Sequence, residues 1–196
     1  MKKILILCLL VIIIFVFCSC TKSYSKEEEY DLLVSNKLPI DTIYAYFVYD
    51  DSKLENIIGF FDYVFIGKIK DYKDTITDTP SGIPNTIYVL EVILNIKGTL
   101  LMNEDIELIK GGGLSEDYKR KYIYDDDILP KKDNYYIFLA RASAEGDLYA
   151  NGGSTTIKIE NTENYYEDEE YIKCLEAYEN ENVYDRERYK SKYEQE

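Results

Sequence analysis

A mainly β domain with flanking helices (α+β) follows from three features of the chain. Between residues 62 and 159, runs rich in Val, Ile, Tyr and Phe are bounded by Gly, Pro, Asn and Asp, the pattern of short strands and turns. From about Tyr166 the apolar period lengthens to that of a helix. Only one cysteine, Cys174, lies beyond position 20, so no internal disulfide can form there and the fold must stand on its apolar core.

Each element has its own signal. Residues 42–49 (TIYAYFVY) are β-branched and aromatic, which favours a strand over a buried turn of helix. Asp51-Ser52 followed by Glu55 forms a capping-box pattern, and Leu54, Ile57, Ile58 and Phe61 continue at helical spacing, so a helix is predicted over 53–61. In 62–70 (DYVFIGKIK), Val64 and Ile66 point one way and Tyr63, Phe65 and Ile69 the other, with Gly67 marking a bulge or bend. A loop over 71–85 leads to the strongest strand, 86–97, whose apolar face is Tyr88, Leu90, Val92, Leu94 and Ile96. Further strands are predicted at 105–110, 135–142 and 154–159. Gly111-Gly112-Gly113 reads as a flexible connector, and the charged, Tyr-rich 115–127 as an excursion or short helix. Tyr171, Cys174, Leu175 and Tyr178 define a helix over 167–179, with Cys174 a small buried apolar residue. The charged end beyond 185 reads as a solvated helical or disordered tail.

Three of these runs together resemble netrin-like domains, the group that includes the tissue inhibitors of metalloproteinases. D-Y-V-F-I-G-K-I (62–69) is similar to that group's "AD-hydrophobic-VF-G-K-V" strand. V-L-E-V (89–92) leading to N-I-K-G (95–98) is similar to its second strand, and N-Y-Y-I-F-L-A (134–140) to its "G-x-x-YLVFA" strand. The resemblance spans Asp62 to Ala142 and implies a small five-stranded Greek-key barrel of the OB type, to which the helical period beyond Tyr166 adds a C-terminal helix. Six or so short strands with turns between them would also suit another small barrel or sandwich. The same order of elements occurs in uncharacterised lipoproteins of low-GC Gram-positive bacteria. Netrin-like framework disulfides are absent here, and the inhibitors' free amino-terminal cysteine has no counterpart next to Asp62, so the inhibitory mechanism is not carried over.

The first twenty residues concern location. Lys2-Lys3 precede an unbroken apolar run, Ile4 to Cys18, too short for a spanning helix of ~20 residues, and Ser19-Cys20 follow. This resembles a bacterial lipoprotein signal, which implies cleavage before Cys20 and diacylation of its thiol. An uncleaved anchor and an ordinary secretory signal are the alternatives, and all three place the domain outside the cytoplasmic membrane. The chain divides accordingly into a leader (1–19), a lipidated tether (20–39), a barrel-like domain with short helices (40–180) and a charged tail (181–196).

Composition narrows the function classes. The formal charge is −14, and −16 once Lys2 and Lys3 leave with the leader. Such a field repels phosphate backbones, which argues against nucleic acid, and it holds the domain away from an anionic leaflet on its tether. Cationic partners or divalent metals are the favoured company. There is no histidine, which removes the commonest general base and the usual ligand of catalytic zinc. The acidic runs 27–29, 125–127 and 167–170 lack the alternating ligand spacing of a calcium loop and read as solvated charge, although Asp74, Asp78, Asp125 and Asp127 could converge in loops. Tyr122, Tyr124, Tyr135, Tyr136, Tyr165 and Tyr166 could form an exposed aromatic patch. The expectation is a lipid-anchored, non-catalytic binding module with Cys20 as its one assigned site, no catalytic residue, no cofactor, an unassigned metal position and an unknown envelope or protein partner. The alternatives are a carboxylate-dependent hydrolase and a divalent-cation-binding surface protein.

Overall fold

The computed structural model describes residues 23–195. Its elements are α1 (Lys26–Val34), β1 (Ile40–Ile43), α2 (Leu54–Phe60), β2 (Tyr63–Ile76), β3 (Asn85–Lys97), β4 (Asp105–Gly111), β5 (Gly113–Leu114), β6 (Lys121–Tyr124), β7 (Tyr135–Ala142), β8 (Leu148–Ala150), β9 (Thr156–Lys158), a 3₁₀ turn (Tyr165–Glu167) and α3 (Glu169–Glu179). The main sheet runs β2-β3-β4-β8-β7-β9, and β2 also pairs with β7. That second pairing closes β2, β3, β4, β8 and β7 into a five-stranded ring. β4 and β8 are parallel, and the other pairs in the ring are antiparallel. This is the strand order of an OB-like Greek-key barrel.

β2 serves two neighbours because it coils. Its register with β3 shifts four times, including at Ile66/Gly67, where Gly67 faces Val92 and Ile66 faces Leu94, so Ile93 is the extra residue of a bulge. The bulge flips the alternation of β3. Tyr88, Leu90 and Val92 fill the barrel, whereas Ile93, Leu94 and Ile96 turn to a second core outside it. The single face expected over Tyr88–Ile96 is therefore split at that bulge.

The two cores divide the work. Inside the barrel, Phe65, Ile69, Tyr72, Leu108, Phe138 and Leu148 are among the fully packed residues. Outside it, Val64, Ile66, Ile137 and Leu139 carry Ile57 and Ile58 of α2 and Tyr171, Cys174 and Ala177 of α3. Asp168 caps α3 by accepting from Glu170 N (3.0 Å) and Tyr171 N (3.4 Å), and its other oxygen accepts from Glu160 N and Asn161 N (3.0 Å each). Burial pushes this carboxyl up, but the four amides outweigh it and hold its pKa below the usual carboxylate range.

Several local expectations are corrected. The strand expected over 42–49 pairs only as Ile40–Ile43, parallel to β6; 44–47 lie outside any regular element, and the chain bends at Val48-Tyr49. The capping box at Asp51-Ser52 does not form. Asp50 instead accepts from Ser52 N and Oγ, and α2 starts after Lys53 with no side-chain cap. The true capping box joins Ser25 to Glu28 at the start of α1.

The Gly run is not a loose connector. It is buried where the chain leaves β4 for the second sheet, β1-β6-β5. At Gly113 (φ 144°) a Cβ would sit 2.4 Å from Thr86 Oγ1, and at Gly112 (φ 99°) 2.5 Å from the Tyr122 carbonyl oxygen, so only glycine fits. Residues 115–127 comprise the β5–β6 turn, β6 itself and its exit, and contain no helix.

The largest corrections concern the two flanks. Nine of the twenty residues of the expected tether form α1, and its Leu33 is 1% exposed within the barrel core at one end of the ring. Glu29 accepts from the hydroxyls of Tyr72 (2.9 Å) and Tyr118 (2.6 Å), which fixes the helix against β2. The expected free tail is a strap. Arg186 and Arg188 both meet Asp62 at 2.7 Å, the Lys192 amide donates to Gly146 O (3.0 Å), and Gln195 N donates to Thr99 O (2.7 Å). Tyr193 packs against the barrel core. Charged sequence hid these contacts because spacing does not show that Arg186 and Arg188 meet Asp62, and the remaining anchors are mostly backbone amides and a few apolar side chains.

If α1 is part of the barrel, Leu33→Ala lowers stability by about 2–5 kcal/mol in chemical denaturation, the cost of a large-to-small change in a packed core. The exposed Asp31→Ala changes it by less than about 0.5 kcal/mol. Equal, negligible effects would mean that this segment is a spacer.

Candidate functional site

A well-developed hollow lies where the second sheet meets the barrel. It is a cleft of about 710 Å³ between the C-terminal end of α1, β1 and β6, the segment 125–131, and the neighbouring faces of β7 and β9. Leu33, Val34, Ile40, Ile123 and Leu129 supply apolar wall, and Lys121, Lys131 and Lys158 supply positive charge.

Lys121 is committed to the fold. Its Nζ donates to the carbonyls of Leu33 (3.0 Å) and Ser35 (2.6 Å), which caps the C-terminal end of α1, and burial lowers its pKa. Lys158 pairs with Glu160. Lys131 makes no ion pair among the described residues, while its backbone amide donates to the Tyr136 hydroxyl (2.9 Å).

One wall of the cleft rests on a buried ion pair. In β4, Ile106, Leu108 and Lys110 alternate inward, so Lys110 occupies a core position at the end of the barrel, and its side chain is 1% exposed. Its partner is Asp127, equally buried. Lys110 Nζ also donates to Ala150 O (3.2 Å) and Thr155 Oγ1 (3.1 Å), and Thr155 in turn donates to Asp127 Oδ2 (3.0 Å). Burial pulls the Lys110 pKa down and pushes that of Asp127 up, while the attraction between them opposes both shifts. The pair is a structural pin.

The acidic run 125–127 therefore splits. Asp127 is buried, against the expectation of solvated charge, while Asp125 and Asp126 stand exposed on the rim. Three backbone contacts build this rim: Asp125 N donates to Ile43 O (2.9 Å), Ser154 N to Asp126 O (2.9 Å), and Asp127 N to Tyr124 O (3.2 Å). On the far side of the rim lies a smaller hollow of about 100 Å³ with Tyr44, Phe47 and Tyr49 among its walls. Gly152 (φ 122°) admits the Phe47 ring, since a Cβ there would come within 3.0 Å of it.

The other expected groupings fall out differently. Among the described residues, no three His, Cys, Asp or Glu side chains converge to hold a metal, so Asp74, Asp78, Asp125 and Asp127 form no such site. The run 27–29 serves α1, and 167–170 serves the start of α3. The six tyrosines do not form one patch. Tyr136 is buried in the barrel, and the Tyr165 and Tyr166 rings meet at a tilt, centroids 4.7 Å apart, beside Tyr171. Cys174 is fully buried, and burial pushes its thiol up to about 12, far from a reactive thiolate. Cys20 lies outside the described residues.

The sequence reading missed Lys110 and Thr155. The inward alternation Ile106-Leu108-Lys110 was the available signal, since its third member is charged where the pattern requires an apolar residue. No protein-family model matches the chain, and no curated protein shows significant similarity to it.

Removing one member of the pin should cost more than removing both. Lys110→Met loses about 3–5 kcal/mol near pH 7 by leaving Asp127 buried and unpaired. Without the lysine, the folded-state pKa of Asp127 lies above its unfolded value, so the loss shrinks as pH falls toward 4 and Asp127 takes up a proton. Lys110→Met with Asp127→Leu recovers most of the stability. Denaturation curves at two pH values measure this, and a single-variant loss below about 1 kcal/mol would contradict it.

Proposed function

We propose that this chain is a lipid-anchored protein of the extracytoplasmic face of a bacterial cell membrane, and that its barrel domain is a non-catalytic binding module. The anchor reading is supported by Lys2-Lys3, the apolar run to Cys18 and the Ser19-Cys20 ending. The barrel also supports the resemblance to netrin-like domains, a likeness of fold with no activity attached.

The observation that carries the binding reading is the open, apolar-walled cleft rimmed by Lys131, Asp125 and Asp126. The groups best placed for acid–base work near it, Lys110 and Asp127, are committed to each other and to Thr155. The partner is an envelope component or another protein, and the acidic surface disfavours nucleic acid.

The short leash revises the geometry of anchoring. Ser25 caps α1 five residues after Cys20, a reach of at most about 18 Å when fully extended. A diacylated Cys20 would therefore hold the α1 end of the barrel close to the bilayer. Two acyl chains are enough for stable attachment.

Cys20→Ser, followed by membrane fractionation and mild cross-linking in the native membrane, tests both parts. The expected result is release of the variant or accumulation of an unprocessed precursor, with a specific envelope cross-link lost at the same time. A variant that fractionates and migrates like the parent would overturn the anchor. Absence of any specific cross-link to the intact protein would count against the binding role.

A further inference from the structure

Residues 41–50 alternate strictly between more and less exposed positions, as a strand does, but only the first three belong to one. Tyr44, Tyr46 and Val48 point outward at 71%, 101% and 68% exposure, while Ala45, Phe47 and Tyr49 turn inward. The backbone groups of residues 44–49 make no hydrogen bond to the other described residues, so an unpaired edge stands open over 44–47 before the chain bends at Val48-Tyr49.

This edge borders the smaller hollow. Phe47 and Tyr49 line it from the inward side and the exposed Tyr44 stands at its mouth, beside Asp51, Asp125 and Asp126. Among the described residues, no lysine or arginine lines it and none of the three carboxylates forms an ion pair. Aromatic faces and unpaired carboxylates attract the same ligand, a compact organic cation. A divalent metal would need several oxygens to converge, and no such convergence occurs among the described residues. About 100 Å³ is room for an ammonium head with its last methylenes.

We propose that this edge and hollow form a docking surface for an extended, basic segment of a partner protein, with a lysine ammonium seated among Tyr44, Phe47, Tyr49 and the three aspartates. The unpaired backbone of 44–49 favours a polypeptide over a lipid headgroup, because a peptide can add to it as a strand while its side chain enters the hollow. The chain's charge of −14 complements a basic segment and speeds its approach. This inference rests on the binding-module reading and not on the anchor. A failed anchor test would leave the peptide result below unchanged, and a silent titration would leave the anchor standing.

The test is an amide and tyrosine-ring NMR titration of the full-length protein in non-ionic detergent. The probe is acetyl-Val-Thr-Lys-Thr-Val-amide, with norleucine replacing lysine as the first control and phosphocholine as the second. The lysine peptide is expected to shift resonances of residues 44–51 and 125–126 and to bind at least about tenfold more tightly than the norleucine peptide. Asp51→Asn and Asp126→Asn are each expected to weaken it about three- to tenfold while leaving resonances elsewhere in place. Asparagine tolerates the positive φ of Asp126 (54°), so that variant keeps its backbone. Equal binding of the norleucine peptide would reduce the surface to an apolar groove and overturn the proposal. Tighter binding of phosphocholine would also overturn it, in favour of a headgroup. No shift with the lysine peptide up to about 10 mM would overturn it outright.

Discussion

The double pairing of β2 is the constraint on which the rest of the molecule depends. Fourteen residues, bent by four register shifts, bond to β3 along one edge and to β7 along the other, and the ring closes. Closure removes sheet edges and creates two open ends and an outer apolar face, each of which must be covered. α1 covers one end with Leu33, and the strap through Tyr193 covers the other. α2 and α3 cover the outer face over Val64, Ile66 and Ile137. Without closure, neither flank would have a place to dock.

The charge of the chain gains meaning in that frame. Cations are the minority, 23 against 37 acids, and several of them serve inside the fold. Lys110 pins Asp127, Lys121 holds the end of α1, and Lys97 binds both Ile58 O (2.9 Å) and Glu181. Arg186 and Arg188 tie the strap to Asp62. These pairings are partly or wholly shielded from water, where a charge left alone would be costly. Among the described residues, acids such as Asp51, Asp125 and Asp126 remain outside without a cation, so the exposed surface is more acidic than the composition suggests.

Much of the barrel is legible in the sequence because period-two alternation records which face is buried. Val64 and Ile66 against Tyr63, Phe65 and Ile69 sort onto the two cores as the pattern predicts, and Gly67 falls at a bulge. α3 is legible through Tyr171, Cys174 and Tyr178. The flanks are not, because Leu33 and Tyr193 are single apolar residues in charged surroundings and their value lies in contacts some thirty or more residues away. The cleft was equally hidden. Its pin joins β4 to the exit of β6, and spacing alone does not show that Lys110 and Asp127 meet. The 42–49 run misled in an instructive way, since its strand-like alternation is real but its partner strand is absent beyond Ile43. That mismatch between pattern and pairing is what draws attention to the edge.

The claim that both charged flanks are integral parts of the barrel is tested most directly by native-state hydrogen exchange on the intact protein. The amides of Lys192 and Gln195, bonded to Gly146 O and Thr99 O, and those in the last turn of α1 should exchange with protection close to that of β3. Exchange of either flank at the rate of an unstructured peptide, with β3 still protected, would contradict the account and return that flank to the status of tether or tail.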